Sequence, residues 1–188
     1  MTSYFRSTGT LWAFWLLLIG LLASTAVGTT SAQAQSQPQD QAQSTTRTYT
    51  ENPRVVIETS VGSIEIELLP KFAPKHVDNF LNLVDKAFYD GLVFHRVIPG
   101  FMIQTGGFDA DINYREHDEI SVPNESFNGL KNRRGSVAAA RTDDPDSADT
   151  QFFINVVDNS FLDAKRGEPG YTVFGRVIDG FDAVEEIE

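Results

Sequence analysis

Short strand-like segments separated by turns recur from end to end of residues 53–188, and they do not alternate regularly with helices. Residues 54–69 are typical of a hairpin, because residues 64–68 alternate apolar and charged side chains with the period of a half-buried strand. Further strand patterns cover residues 92–97, 101–104, 136–140, 151–157 and 171–177. Many strands without a βαβ alternation favour an antiparallel barrel or sandwich over a parallel sheet.

Helical patterns lie near each end of this region. An apolar face with helical spacing runs from Val77 to Val84, and Pro74 fits a first helical turn, where a missing N–H costs nothing. Residues 181–188 begin a second helix. Residues 108–134 are polar and irregular, but apolar side chains recur through them, which predicts an ordered loop.

The N-terminus has the pattern of a targeting segment. Residues 11–27 carry no charge, Arg6 precedes them, and the small-x-small site Ala32-Gln33-Ala34 follows. This order is typical of a secretory signal peptide over residues 1–34, cleaved after Ala34. The alternative is an uncleaved membrane anchor, since the apolar run is at the lower limit of length for spanning a bilayer. Cleavage predicts a periplasmic or secreted protein, and membrane contact is expected only if the segment is retained.

A polar segment separates this N-terminus from the region that folds. Residues 35–52 are rich in Gln, Ser and Thr and have almost no apolar side chain, so they cannot bury enough surface to order themselves. We predict a flexible linker there. The folded part is then residues 53–188, the length of one ordinary domain.

The composition excludes several classes of function. The chain has no cysteine, which removes disulfides, thiol nucleophiles and thiolate metal sites. Its net charge of -11 repels phosphate backbones, so nucleic acid is not an expected partner. His76, His95 and His117 are too scattered to indicate a metal site, and we interpret His95 as structural.

Four sequence blocks carry the strongest functional signal. Residues 94–104 read FHRVIPGFMIQ, residues 151–155 read QFFIN, residues 161–163 read FLD and residues 173–175 read VFG. In this order and at this spacing they resemble the signature of the cyclophilin-type peptidyl-prolyl cis/trans isomerases, and the resemblance runs from the first hairpin to Gly180. It implies a mainly β fold, a closed antiparallel eight-stranded barrel with capping helices. It also implies proline-containing polypeptides as substrates and no metal or other cofactor.

The resemblance transfers the family's site to matching positions of this chain. The catalytic arginine falls on Arg96, and a glutamine that bonds the substrate backbone falls on Gln104. The proline pocket is expected from the apolar side chains of Phe101, Met102, Phe153 and Leu162. Further substrate contacts are expected at Ala140, Arg141, Gln151, Phe161 and Tyr171.

The resemblance also includes departures from the common pattern. Phe161 stands where many eukaryotic members have tryptophan and Tyr171 where many have histidine, as in the bacterial exported branch. Family members usually continue beyond the position of Glu188 with a final strand, so we expect that strand to be missing here and an unpaired edge to be exposed. We expect a monomer with lower stability than a complete member.

Other interpretations of these residues stay open at this point. Without its neighbours, Arg96 would be interpreted as a solvated or ion-paired surface arginine, and the four apolar pocket residues as barrel core. A module that binds proline-containing segments without turning them over is the second hypothesis for function. A structural barrel with no ligand is the third, and it leaves the four blocks unexplained.

Overall fold

The computed structural model describes residues 47–118 and 120–188. The predicted signal peptide and most of the predicted linker lie outside these residues. The strands and helices in chain order are β1 (Arg54–Thr59), β2 (Gly62–Leu68), α1 (Pro74–Asp85), β3 (Arg96–Ile98), β4 (Met102–Thr105), β5 (Ser136–Ala139), β6 (Phe152–Asn155), β7 (Val173–Asp179) and α2 (Phe181–Ile187). None of the helices in this part of the chain is long and apolar enough to cross a membrane.

The strands form one curled antiparallel sheet in the order β1-β2-β7-β5-β6-β4-β3. The mainly β class, the first hairpin and both helices are as predicted. The closed eight-stranded barrel is not seen in the described residues, which contribute seven strands. Closure requires hydrogen bonds all the way around the sheet, and the end strands β1 and β3 are not paired with each other.

The predicted strand over residues 92–97 begins only at Arg96. Val93 leaves the ladder because its N–H donates to the carbonyl of Phe108 (3.0 Å) and its carbonyl accepts from the hydroxyl of Thr105 (2.9 Å). These contacts direct residues 92–95 towards the turn after β4, and only three residues remain to pair with β4.

Two apolar clusters lie on opposite faces of the sheet. The larger cluster contains Val137, Phe152 and Ile154, whereas Ala138 and Phe153 belong to the smaller one. Successive side chains of a strand point to opposite faces, so β5 and β6 supply both clusters. The alternation therefore separates Phe153 from the main core and places it on the face that carries the candidate site.

The N-terminus of α1 is capped from a distant part of the chain. Ala73 precedes the helix and has no side-chain oxygen to bond its free N–H groups. The carboxylate of Glu125 accepts from the backbone N–H groups of Lys75 (3.2 Å) and His76 (3.1 Å), and one oxygen lies 2.7 Å from the Nδ1 atom of His76. Burial disfavours the ionised carboxyl, but the bonds from His76 and Lys75 outweigh it and hold the pKa of Glu125 below its ordinary value of 4.5.

We expect Glu125→Gln to destabilise the fold by about 1–2 kcal/mol at pH 7, because an amide is a weaker cap than a carboxylate. The carboxyl pKa is lower in the folded state, so its stabilising effect is present above pH 4.5 and is lost as the pH falls through the folded-state value. Urea unfolding of both proteins at pH 7 and pH 3 measures this difference. The exposed Glu186→Gln is the matched control, and a gap as wide at pH 3 as at pH 7 would contradict the assignment.

The described end of the predicted linker contacts α1. The guanidinium of Arg47 donates to Asn82 (2.7 Å) and Asp85 (2.6 Å), and the hydroxyl of Tyr49 donates to Asp78 (2.5 Å). Burial and the bond to Asp78 raise the pKa of the Tyr49 hydroxyl. Arg47 and Tyr49 therefore attach this end of the segment to polar side chains of the helix.

Candidate active site

A cavity of about 150 Å³ opens beside the smaller apolar cluster. The described residues that line it are Arg96, Phe101, Met102, Gln104, Ala140, Arg141, Phe153, Leu162 and Tyr171. All nine were predicted as site residues from the sequence. The other two predicted residues lie beside it, since Gln151 is hydrogen-bonded to Gln104 and the ring of Phe161 stacks on that of Phe101 with centroids 5.5 Å apart.

Strand register brings the polar and apolar parts of the cavity together. Arg96 of β3 lies opposite Gln104 of β4, and Gln104 lies opposite Phe153 of β6. Residues directly opposite each other in a ladder point to the same face. One row across three strands thus sets a guanidinium, an amide and an aromatic ring side by side.

The apolar part of the cavity is rigidly supported. Met102 and Phe153 form its base and are 1% and 4% exposed, while Phe101 and Leu162 are half-buried. Phe153 packs edge-on against Tyr171 at 5.7 Å between ring centroids. A compact apolar ring without an N–H suits such a pocket, because it leaves no polar group to be satisfied.

The guanidinium of Arg96 lies at the rim of this pocket. Its Nη1 atom donates to the Oε1 atom of Gln104 (3.2 Å) and lies 3.7 Å from the sulfur of Met102. Within residues 47–118 and 120–188, no carboxylate forms a salt bridge with Arg96. The positive charge is therefore fixed beside the pocket without being neutralised, unlike that of an ion-paired surface arginine.

Comparison with known proteins identifies the family. Residues 54–188 match the sequence model of the family described as cyclophilin type peptidyl-prolyl cis-trans isomerase/CLD. The chain belongs to the cyclophilin family. It is 51% identical over 136 residues to a peptidyl-prolyl cis-trans isomerase of Acinetobacter baylyi, a match that covers 72% of each chain.

Two further proteins are similar to this chain, one in sequence and one in both sequence and fold. This cyclophilin is 48% identical over 138 residues to peptidyl-prolyl cis-trans isomerase B of Escherichia coli, covering 71% of this chain and 83% of that protein. It is also similar to the crystal structure of a cyclophilin type isomerase from Cryptosporidium parvum. That match has a TM-score of 0.61 and 30% sequence identity, and it covers 73% of this chain and 84% of the other.

Arg141 of this cyclophilin is hydrogen-bonded to neighbouring loops. Its guanidinium donates to the carbonyls of Thr142 (2.8 Å), Pro169 (3.2 Å) and Gly170 (3.4 Å). It also lies over the ring of Tyr171, 4.6 Å from the centroid. Arg141 thus joins the loop after β5 to the loop before β7 and supports one wall of the cavity.

His95 neighbours Arg96 in the sequence but does not line the cavity. Burial lowers the pKa of His95 below its ordinary value of 6.5, which favours a neutral ring, and the ring packs against Phe108 at 4.7 Å between centroids. In the described part of the chain, no three His, Asp or Glu side chains group together so that they could hold a metal ion. The described part of the site therefore combines the guanidinium donor of Arg96 with an apolar pocket.

Sequence reasoning missed a buried polar group behind the cavity. Asn155 is fully buried and accepts from the amide of Asn159 (2.7 Å), which also donates to the carbonyl of Phe101 (2.9 Å). These two hydrogen bonds hold the backbone of Phe101, which lines the pocket. The sequence signal was the asparagine between the apolar residues Ile154 and Val156 of the predicted strand.

Proposed function

We propose that this cyclophilin accelerates rotation about X-Pro bonds in exported proteins, and that Arg96 is its catalytic residue. The single observation that carries the proposal is the unneutralised guanidinium of Arg96 at the rim of an apolar pocket sized for one ring. The peptidyl-prolyl isomerase activity is that of the family. The assignment to Arg96 and the role in exported proteins are the proposal.

The reaction requires no bond to be made or broken. The planar amide is held by resonance, and its rotation faces a barrier of about 18–20 kcal/mol. In the twisted state the proline nitrogen loses conjugation and regains a lone pair. A donor aimed at that nitrogen binds the twisted amide better than the planar one, which is the requirement for catalysis. Arginine suits this role because its charge is permanent and its fork of N–H groups is rigid.

The other cavity residues hold the substrate while one side of the bond rotates. Phe101, Met102, Phe153 and Leu162 enclose the proline ring, which has no N–H to satisfy. Gln104 keeps one N–H and one lone pair for the substrate backbone, since an amide has two of each and the free protein uses one of each. A related crystal structure, 29% identical with a TM-score of 0.60, was obtained in the presence of the dipeptide Ala-Pro, which supports a proline ligand for this fold.

Turnover of a short X-Pro peptide by residues 35–188 tests the activity. We expect acceleration that saturates with peptide and no effect on a peptide in which alanine replaces the proline. The second candidate function is that of a module that binds proline-containing segments without isomerising them. The cavity supports it as well, because the same apolar pocket would bind the proline ring. A folded protein that binds the peptide without accelerating its isomerisation would replace our proposal with that one.

The proposed location rests on the N-terminal sequence. Residues 11–27 are uncharged and are followed by the small-x-small site that ends at Ala34, so we propose a cleaved signal and a periplasmic or secreted domain. Mass analysis of the protein recovered from fractionated cells tests this. We expect a mature chain that begins at Gln35 outside the cytoplasm. A full-length chain in the cytoplasm would contradict export, and a full-length chain in the membrane would favour the anchor.

A further inference from the structure

Two amide side chains form a hydrogen-bonded row that ends at Arg96. The Nη1 atom of Arg96 on β3 donates to the Oε1 atom of Gln104 on β4 over 3.2 Å. The Nε2 atom of Gln104 donates in turn to the Oε1 atom of Gln151, the residue before β6, over 3.0 Å. The row therefore crosses from one edge strand to the segment that leads into β6.

Donor and acceptor rules fix the direction of both amides. A guanidinium has only donors, so Gln104 must present its oxygen to Arg96. Its NH2 group then faces away from Arg96 and needs an acceptor. Gln151 supplies that acceptor, and if its side chain presented NH2 instead, two donors would face each other. The oxygen of Gln151 thus selects the orientation of Gln104 that Arg96 requires.

Gln151 is held firmly enough to set this orientation. Its backbone N–H donates to the carboxylate of Asp149 (3.1 Å), and its carbonyl accepts from the N–H of Ala140 (3.0 Å). Its side chain lies flat over Gly107, where an added Cβ would be 2.9 Å from the amide carbon. Only glycine leaves room for the amide in this position. Its backbone bonds and this close approach fix Gln151 independently of Arg96.

We propose that Gln151 is a positioning residue, which acts through Gln104 to hold the guanidinium of Arg96 in its catalytic orientation. The inference rests on the proposed role of Arg96. The direct substrate contact that the resemblance implied for Gln151 is the competing role. Among the described residues that line the cavity, Gln104 is included and Gln151 is not.

The test compares two substitutions that differ in one property. Gln151→Met keeps the length of the side chain but removes the acceptor, and Gln151→Glu keeps the acceptor. We expect Gln151→Met to lower kcat about fivefold with KM almost unchanged, the effect of one lost hydrogen bond. We expect Gln151→Glu to stay within about twofold of the wild type, a rescue by the variant that retains the bond.

A double-mutant cycle with Arg96→Ala separates the two proposals. If Gln151 acts through Arg96, Gln151→Met has no further effect once Arg96→Ala is present. A slow Arg96→Ala beside an unimpaired Gln151→Met would overturn this inference and leave the proposed function intact. A raised KM with unchanged kcat in Gln151→Met would also overturn it, because Gln151 would then contact substrate directly. A fully active Arg96→Ala would refute the role of Arg96 and the inference with it.

Two further measurements keep the test valid if Gln151→Met folds poorly. Gly107→Ala alters neither amide residue but displaces the side chain of Gln151, so we expect it to lower kcat in the same direction. The NMR resonance of the Nε–H group of Arg96 reports the guanidinium directly. We expect it to shift in Gln151→Met and Gly107→Ala and to stay near its wild-type position in Gln151→Glu. An unmoved resonance in all three variants would contradict the inference.

Discussion

Arg96→Ala is expected to lower kcat/KM for a short X-Pro peptide by about 10²–10³, the usual effect of removing a preorganised donor from an active site. The substitution removes the donor that we propose to face the proline nitrogen in the twisted state. The pocket remains, since Phe101, Met102 and Phe153 are supported by packing that does not involve Arg96. The unfolding free energy should change little, because the Arg96 side chain is exposed and forms no salt bridge within the described residues.

Two companion variants identify the cause of that loss. Arg96→Lys keeps the charge but not the planar fork, so we expect activity between those of the wild type and Arg96→Ala. Arg133→Ala removes an exposed arginine that does not line the cavity and should leave kcat/KM unchanged. A loss below about fivefold in a folded Arg96→Ala protein would be too small for a donor that contacts the reacting nitrogen.

Asn155→Leu is expected to destabilise the fold by about 3 kcal/mol, although leucine is similar in size and more apolar. Asn155 is fully buried and donates to the hydroxyl of Ser136 (2.9 Å) and the side chain of Asn132 (3.3 Å) while it accepts from Asn159 (2.7 Å). Leucine would leave these partners buried without it, and each orphaned polar group costs about 1–3 kcal/mol. Urea unfolding followed by circular dichroism measures the loss.

Ile154→Val provides the matched control for this prediction. Ile154 is the neighbouring residue in β6 and is also fully buried, but its side chain forms no hydrogen bond. Removing one methyl group there should cost only about 1 kcal/mol. If Asn155→Leu cost no more than Ile154→Val, the polar network would contribute nothing beyond packing.

Six of the nine cavity residues lie in the sequence blocks that carry the family resemblance, whereas Ala140, Arg141 and Tyr171 lie outside those blocks and were predicted only by transfer from the family. Arg96 and Gln104 fall in one block and Phe153 in another, and the strand registers in the structure place them in one row. The alternation of side chains along β6 also explains why Phe153 belongs to the smaller apolar cluster, whereas Phe152 and Ile154 belong to the larger one. The class of fold thus follows from local patterns, whereas the site residues were predicted from the resemblance to the family.

Long-range polar contacts could not be predicted in this way. Glu125 caps a helix that begins about 50 residues earlier, and Gln151 reaches Gln104 across 47 positions of the chain. A hydrogen bond between distant side chains leaves no periodic trace in the sequence, unlike an apolar face. The absence of Val93 from its predicted strand has a similar origin, since its hydrogen bonds with the carbonyl of Phe108 and the hydroxyl of Thr105 redirect the backbone.

The most direct test of the central claim is NMR exchange spectroscopy on an X-Pro peptide with the wild type and with Arg96→Ala. The experiment measures the Kd of the peptide and its rate of cis/trans exchange in one sample. If Arg96 stabilises only the twisted amide, the exchange rate should fall at least about 10²-fold while the Kd stays within about threefold. An equal fall in affinity and rate would mean that Arg96 binds planar and twisted amides alike, and the account would be contradicted.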